Sequence, residues 1–306
     1  MPTFKGMRRL LAILLAFVLL CGCTGTGSED GDPGPSRSGE TPGDGTGPRR
    51  PAEQDGVPTT AGTHKLELEV GTPGHREYRL RVPPGLRDSP GPLPLVLAVH
   101  GGASNAEKFE ELSGFDGVAD DEGFLVAYPE GFAFSWNAGP CCGPAKLGRV
   151  DDVGFLEKLI DRLVGAGVAD PERVYVSGFS NGGGMAYRMA CEGPGGIKAI
   201  GVVSASLVID CEPREPVSVM IVHGRADRSV PYGGGGQRDF NDKRPFTPVS
   251  HAVDFWREAL GAGSLRKDGS CRTARGEAVV RFCPHGGGHV WPEGTAARLW
   301  AFFSSV

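Results

Sequence analysis

The stretch Arg173–Cys191, RVYVSGFSNGGGMAYRMAC, holds a serine in a setting suited to nucleophilic chemistry. Val174–Ser177 is a short β-branched and aromatic run of buried-strand type, Gly178–Gly182 a tight corner, and Met185–Ala190 the start of a helix. A serine at a strand-to-helix corner is lifted out of the backbone. The glycines beside it remove side chains that would clash where the chain reverses. Ser180 is therefore the candidate nucleophile for acyl transfer. The Gly-x-Ser-x-Gly string says little by itself in a chain with 49 glycines among 306 residues; the strand before it and the helix after it carry the information.

A serine nucleophile needs a base to take its proton and an acid to hold that base in the right tautomer. Chain order Ser, Asp, His leaves His251, His285 and His289 as bases. His251 falls near the start of a helix and reads as a partly exposed helical residue. His285 and His289 both lie in the glycine-rich loop CPHGGGHVWP. His289 is chosen, because it stands at the far end of that run, where the loop can reach over the serine; His285 is the alternative. The acid belongs just after the strand Val217–Val222, where Asp227 stands, with Asp210 and Asp239 as alternatives. A tetrahedral oxyanion needs two backbone donors, one from the residue after the nucleophile and one from the loop after the third strand. Asn181 supplies the first. In His100-Gly101-Gly102, Gly102 is the expected second, with Gly101 or Ala103 as alternatives, and His100 and His223 are read as structural.

These residues must be positioned by alternating strands and helices. Lys65–Val70 and Tyr78–Val82 alternate with period two, as antiparallel edge strands do, while Leu95–Val99 is continuously apolar and suits a central strand. A helical stretch at Ala106–Glu122 and a strand at Phe124–Tyr128 follow. Asp151 and Asp152 can cap a helix whose Val153, Leu156, Leu159, Ile160, Leu163 and Val164 form one apolar stripe, ended by Gly165 and Gly167. After the serine corner come buried runs at Ala199–Val203, Val217–Val222 and Glu277–Phe282, with helical stretches at Val249–Leu260 and Ala296–Phe303. This order predicts an α/β-hydrolase with a mostly parallel eight-stranded sheet and helices on both faces. Leu207–Pro216 is too short for a cap domain, which predicts an open cleft. The long segment Pro129–Val150 carries Trp136, and Trp291 stands beside His289; the two indoles could wall an acyl site or only anchor their loops.

The N-terminus reads as an export signal. Lys5, Arg8 and Arg9 precede the apolar run Leu10–Leu20, which is too short to cross a bilayer as a helix. Leu20-Cys21-Gly22-Cys23 resembles a bacterial lipobox, with Cys23 as the expected lipidated residue, so residues 1–23 are expected to be a lipoprotein signal. Residues 24–62 are Gly, Pro, Ser, Thr, Asp and Glu with hardly an apolar side chain, which predicts a disordered tether. Residues 63–306 are expected to form one catalytic domain, held outside the cytoplasm and contacting membrane through the anchor alone. The net charge of −5 and the lack of a Lys/Arg stripe point away from nucleic acid. Cys141, Cys142, Cys191, Cys211, Cys271 and Cys283 in an exported chain suggest disulfides. Cys271 and Cys283 flank an expected hairpin around Ala274–Glu277 and are the best pair. No metal site is expected, since Cys-x-x-Cys and His-Glu-x-x-His are both absent.

Taken together, HGG after the third strand, WNAGPCCGPA, VDDVGFL, DPERVYVSGFSNGGGMAYRMAC, HGRADRSVPYGGG and GGGHVWP resemble the exported polyhydroxybutyrate depolymerase and feruloyl esterase group, the LpqC-like esterases. The likeness runs from about His100 to Pro292. It implies an α/β-hydrolase and a cofactor-free serine esterase with Ser180, Asp227 and His289 as triad, acting on hydroxybutyrate-type or feruloyl and acyl-polysaccharide esters. The stretch RDFNDKRPFTP after Gly236 departs from the group's pattern, so the cleft is where this chain is expected to differ. Two other classes remain: an acyltransferase with the same triad, and a lipid-anchored binding protein with an inactive serine corner.

Overall fold

The computed structural model describes residues 49–71, 74–193, 195–236 and 245–306. The signal segment with Cys23, most of the expected tether, and Asp239 lie outside the described residues. The strands are β1 (Glu53–Gln54), β2 (Val57–Pro58), β3 (Gly62–Glu69), β4 (His75–Val82), β5 (Leu93–Val99), β6 (Leu125–Pro129), β7 (Ala169–Phe179), β8 (Ile197–Val203), β9 (Ser218–Gly224), β10 (Arg266–Asp268), β11 (Cys271–Arg275) and β12 (Val279–His285). The helices are α1 (Ala106–Ser113), α2 (Phe115–Glu122), α3 (Gly143–Leu147), α4 (Asp152–Gly165), α5 (Asn181–Glu192), α6 (Val249–Ala259) and α7 (Thr295–Phe303).

Ten strands form one sheet in the order β10-β11-β12-β9-β8-β7-β5-β6-β4-β3. Strands β6, β5, β7, β8, β9 and β12 run parallel to one another, and antiparallel pairs flank them at both edges. The eight expected strands are present in the expected order. Strand β11 pairs antiparallel with β12 and is the first arm of the hairpin expected around Ala274–Glu277, whereas β10 is an addition at the edge: Arg266-Lys267-Asp268 is exposed and has no apolar run by which a sequence could signal a strand. Disulfide Cys271–Cys283 ties β11 to β12, and Cys191–Cys211 ties α5 to the segment after β8.

The apolar stripes of α4, α5 and α6 close one face of the sheet, with Phe155, Leu159, Met185 and Trp256 in that core. Helices α1, α2 and α7 close the other, with Phe109, Phe115, Leu299 and Phe303. Gly114 at φ 73° breaks the single helical stretch expected over 106–122 into α1 and α2. Asp151 caps α4 as expected, its side chain accepting the Gly154 N–H. The domain includes described residues before Thr63. Val57 is fully buried in the core, and Arg50 donates to the Gly167 carbonyl at 2.9 Å, so residues 49–62 are part of the domain and not of the tether. Residues 204–217, between β8 and β9, carry no helix, so nothing inserted there covers the C-terminal end of the sheet.

Candidate active site

Strand β7 ends at Phe179 and α5 begins at Asn181, so Ser180 alone makes the corner, with φ 53° and ψ −117°. A non-glycine residue with this backbone is strained by about 1–3 kcal/mol and persists only where its surroundings impose it. They do so through close approach. Side chains at Gly178 and Gly182 would collide with backbone, Gly178 with the Gly182 peptide and Gly182 with the carbonyls of Val99 and His100.

The structure brings three of the candidate residues into one hydrogen-bonded line. His289 Nε2 lies 2.9 Å from Ser180 Oγ, and His289 Nδ1 lies 2.8 Å from Asp227 Oδ2. A carboxylate only accepts, so Nδ1 carries the proton and Nε2 is left to accept from the serine hydroxyl. Asp227 is buried, and its other oxygen accepts the Ser229 and Val230 N–H groups, both at 2.9 Å. Phe179 packs against the His289 ring at 5.0 Å between centroids. The alternatives are placed elsewhere. His285 Nδ1 accepts the Gly287 N–H, His251 is exposed on α6, and Asp210 is exposed after β8.

Gly102 and Asn181 both line the cavity beside Ser180, and a side chain built on Gly102 would come within 3.6 Å of the Asn181 Cβ. Ala103 is removed from contention as a donor, because its N–H donates to the Phe134 carbonyl at 2.8 Å. Asn181 is the first residue of α5, where the helix dipole favours negative charge, while Gly102 lies in the loop after β5.

His100 and His223 are fully buried rings. His100 donates from Nδ1 to the Gly101 carbonyl at 2.7 Å and accepts the Gly131 N–H at Nε2 at 2.9 Å, a pattern that fixes one neutral tautomer. Burial, which disfavours the charged form, pushes its pKa down to about 4. His223 donates from Nε2 to the Val230 carbonyl, and burial lowers its pKa as well.

Neither indole expected as an acyl wall lines the cavity. Trp136 has no exposed surface and donates its indole N–H to the His100 carbonyl at 3.0 Å. Trp291 is buried against Phe109 and donates to the Ser113 carbonyl at 3.0 Å. An indole buried with its N–H needs an acceptor, and in both cases the acceptor is a loop carbonyl inside the protein, so the rings anchor their loops. The cavity has a volume of about 480 Å³ and is walled by Phe134, Phe246, Val208, Val230, Ala205 and the disulfide between the adjacent Cys141 and Cys142. No charged side chain lines it among the described residues. Phe246 belongs to the stretch that departs from the group's pattern, which was the one available signal; nothing in the sequence distinguished Phe134 from the neighbouring Phe132.

A charged pair also went unread. Arg76 on β4 and Asp152 at the start of α4 are both buried and meet at 2.9 Å, and Arg76 also donates to the Glu130 carbonyl at 2.8 Å. Burial raises the Asp152 pKa, against the pull of the Asn137 N–H and the Arg76 charge.

The family model for esterase PHB depolymerases matches residues 76–234. NocK of Nocardia uniformis subsp. tsuyamanensis, a protein assigned as an esterase, is 33% identical over 246 residues, covering 72% of this chain and 72% of that protein. Feruloyl esterase B of Piromyces equi is 29% identical over 229 residues, 68% of this chain and 41% of that protein. Feruloyl esterase C of Emericella nidulans is 27% identical over 248 residues, 76% of this chain and 84% of that protein. Among solved structures, an acetyl xylan esterase from Aspergillus awamori aligns with a TM-score of 0.59 at 18% identity, over 79% of this chain and all (100%) of that one. An S-formylglutathione hydrolase from Staphylococcus aureus aligns with a TM-score of 0.54 at 12% identity, over 81% of this chain and 98% of that one. Those two likenesses are of fold, and the fold is that of the α/β-hydrolases. The matches in sequence go further: the chain belongs to the esterase PHB depolymerase family and is a carboxylic ester hydrolase.

Proposed function

We propose that the chain is an exported serine esterase that works through an acyl-enzyme on Ser180, with His289 as base and Asp227 as its orienting acid. The observation that carries the reading is the unbroken line Ser180–His289–Asp227, opening on a cavity whose lining among the described residues carries no charged side chain. His289 takes the Ser180 proton as the oxygen attacks the ester carbonyl, and the amides of Asn181 and Gly102 hold the oxyanion. Collapse expels the alcohol, which takes the proton from His289, and water then repeats the sequence to release the acid.

The lining suits an uncharged acyl group. A cavity of about 480 Å³ with Phe134 and Phe246 in its wall can take an aromatic or short aliphatic acid, whereas the described lining offers no ionised side chain to pair with a free carboxylate or ammonium. Two of the relatives are feruloyl esterases, which makes feruloyl-type esters the first substrate class to test and hydroxybutyrate oligomers the second. Export and lipid anchoring at Cys23 rest on the charged start, the apolar run and the lipobox-like residues. Residues 24–48 then tether the domain to the outer face of the membrane.

Treatment of residues 24–306 with a fluorophosphonate, read by intact mass, tests the reading. One adduct is expected on the wild type and none on Ser180→Ala, whose turnover of a feruloyl ester should fall by about 10⁴- to 10⁶-fold. Equal turnover in the two proteins would refute the assignment.

A further inference from the structure

Trp136 bonds to both of the segments from which the oxyanion donors come. Its indole N–H reaches the carbonyl of His100, the residue that leads into Gly101 and Gly102, at 3.0 Å. Its main-chain N–H donates to Asn181 Oδ1 at 2.7 Å, and its carbonyl accepts from Asn181 Nδ2 at 3.0 Å. The Asn181 side chain is thus held at both its polar atoms by the main chain of one residue, Trp136, and is turned away from substrate. We infer that Trp136 is a positioning residue that sets the separation of the Gly102 and Asn181 amides, and so the fit of the oxyanion hole. The inference rests on the acyl-transfer reading above.

A spacer works only if it is itself fixed, and Trp136 is fixed on every side. The ring lies against His100 at 5.0 Å and parallel to Phe155 at 6.5 Å, with the Arg76 guanidinium 5.7 Å from its centroid. The next residue, Asn137, donates its N–H to Asp152 Oδ2 at 2.7 Å and its side-chain amide to the Val150 carbonyl at 2.9 Å. Asp152 in turn holds Arg76. The buried ion pair therefore anchors the peptide that clamps Asn181, which gives a charged pair in an apolar core a use. Of these residues only Asn181 lines the cavity, while Trp136, Asn137, Arg76 and Asp152 stand behind it, so the cavity wall itself should change little when the Trp136 bond is removed.

Electrostatic stabilisation of this kind depends on donors aimed at a developing charge, so a shift in their spacing slows the chemical step and leaves ground-state binding alone. Trp136→Phe keeps the ring and deletes the N–H. Its kcat for a feruloyl ester should fall by about 10- to 100-fold with KM within about twofold of wild type. A second readout separates a misaligned hole from general damage. Sulfur accepts N–H bonds poorly, so the rate ratio between an oxygen ester and its thionoester reports the hole itself, and it should fall by about tenfold. Asn181→Ala keeps the amide and removes the clamp from the other side; it should give the same signature, and it decides the matter if Trp136→Phe does not fold. A folded variant with wild-type kcat and an unchanged thionoester ratio would overturn the role of Trp136 while wild-type labelling at Ser180 leaves the esterase reading standing. Failure of wild-type Ser180 to label would overturn both.

Discussion

Acidification should destabilise this protein through His100, by an amount the structure lets one work out. The ring is fully buried, uses Nδ1 as donor and Nε2 as acceptor, and has a pKa pushed down to about 4 from 6.5. In the window between those values the unfolded chain binds a proton that the folded protein does not. The stability is therefore full above pH 6.5 and is lost as the pH falls towards 4. Between about pH 7.5 and about pH 4.5 the linkage amounts to roughly 2–3 kcal/mol, which for a domain of this size is about 5–10 °C in Tm. Other groups titrate in the same range. His223 acts in the same sense, whereas Asp116, raised to about 6 by burial, acts in the opposite one, because the folded state holds its proton more tightly as pH falls. The difference between wild type and His100→Gln isolates the term, since glutamine can still accept the Gly131 N–H and does not titrate. Guanidinium unfolding of both proteins at the two pH values should show the wild type losing roughly 2–3 kcal/mol more than the variant. A gap between the two proteins that is the same at both pH values would mean that His100 is not held neutral.

The substitution Gly182→Ala should cost far more than Gly184→Ala, two positions along the same helix. A side chain at 182 meets the backbone carbonyls of Val99 and His100, while one at 184 meets only the Ala138 methyl at 3.2 Å. Overpacking against backbone costs about 1–3 kcal/mol or more, and here it also pushes α5 from β5, so phosphonylation of Ser180 should slow at least about tenfold in the first variant only. Replacing Phe134, an exposed wall of the cavity, with alanine should raise KM for a feruloyl ester by about 3- to 10-fold and leave acetyl-ester turnover within about twofold. Equal effects on the two esters would remove Phe134 from acyl recognition.

The fold was legible wherever burial writes a periodic pattern. Continuous apolar runs gave β5, β8 and β9, and the stripe with its Asp151 cap gave α4. Edge strand β10 was not legible, because exposed Arg, Lys and Asp form a strand there only by pairing with β11. In the site, the serine corner and the glycine run before His289 pointed to Ser180, Asp227 and His289 through chain order. The cavity walls were opaque, since a sequence does not say whether an aromatic ring faces a void or fills a core. Trp136 shows the difficulty: its N–H partner is a main-chain carbonyl, which no residue pattern encodes. Arg76 did leave a trace. It stands in the alternating run on the same face as Tyr78, Leu80 and Val82, an arginine in a core register, and such a residue asks for a buried partner of opposite charge.

Strands β9 and β12 are direct parallel neighbours, with Val222 opposite Cys283 and Gly224 opposite His285. Asp227 and His289, which follow those two strands, are thus spaced by a hydrogen-bonding register and not by the chain that joins them. The connecting residues 225–278 include α6, the β10–β11 hairpin and the cavity residue Phe246. Loop length adds to the cost of closure only slowly. Descent with modification can therefore lengthen, trim or replace the part of that connection beyond Val230, and with it one wall of the cavity, while Asp227, the Ser229 and Val230 amides that hold it, and His289 stay in register. For protein engineering the part beyond Val230 is a grafting site, where a new binding module could be inserted without rebuilding the hydrogen-bonded line Ser180–His289–Asp227.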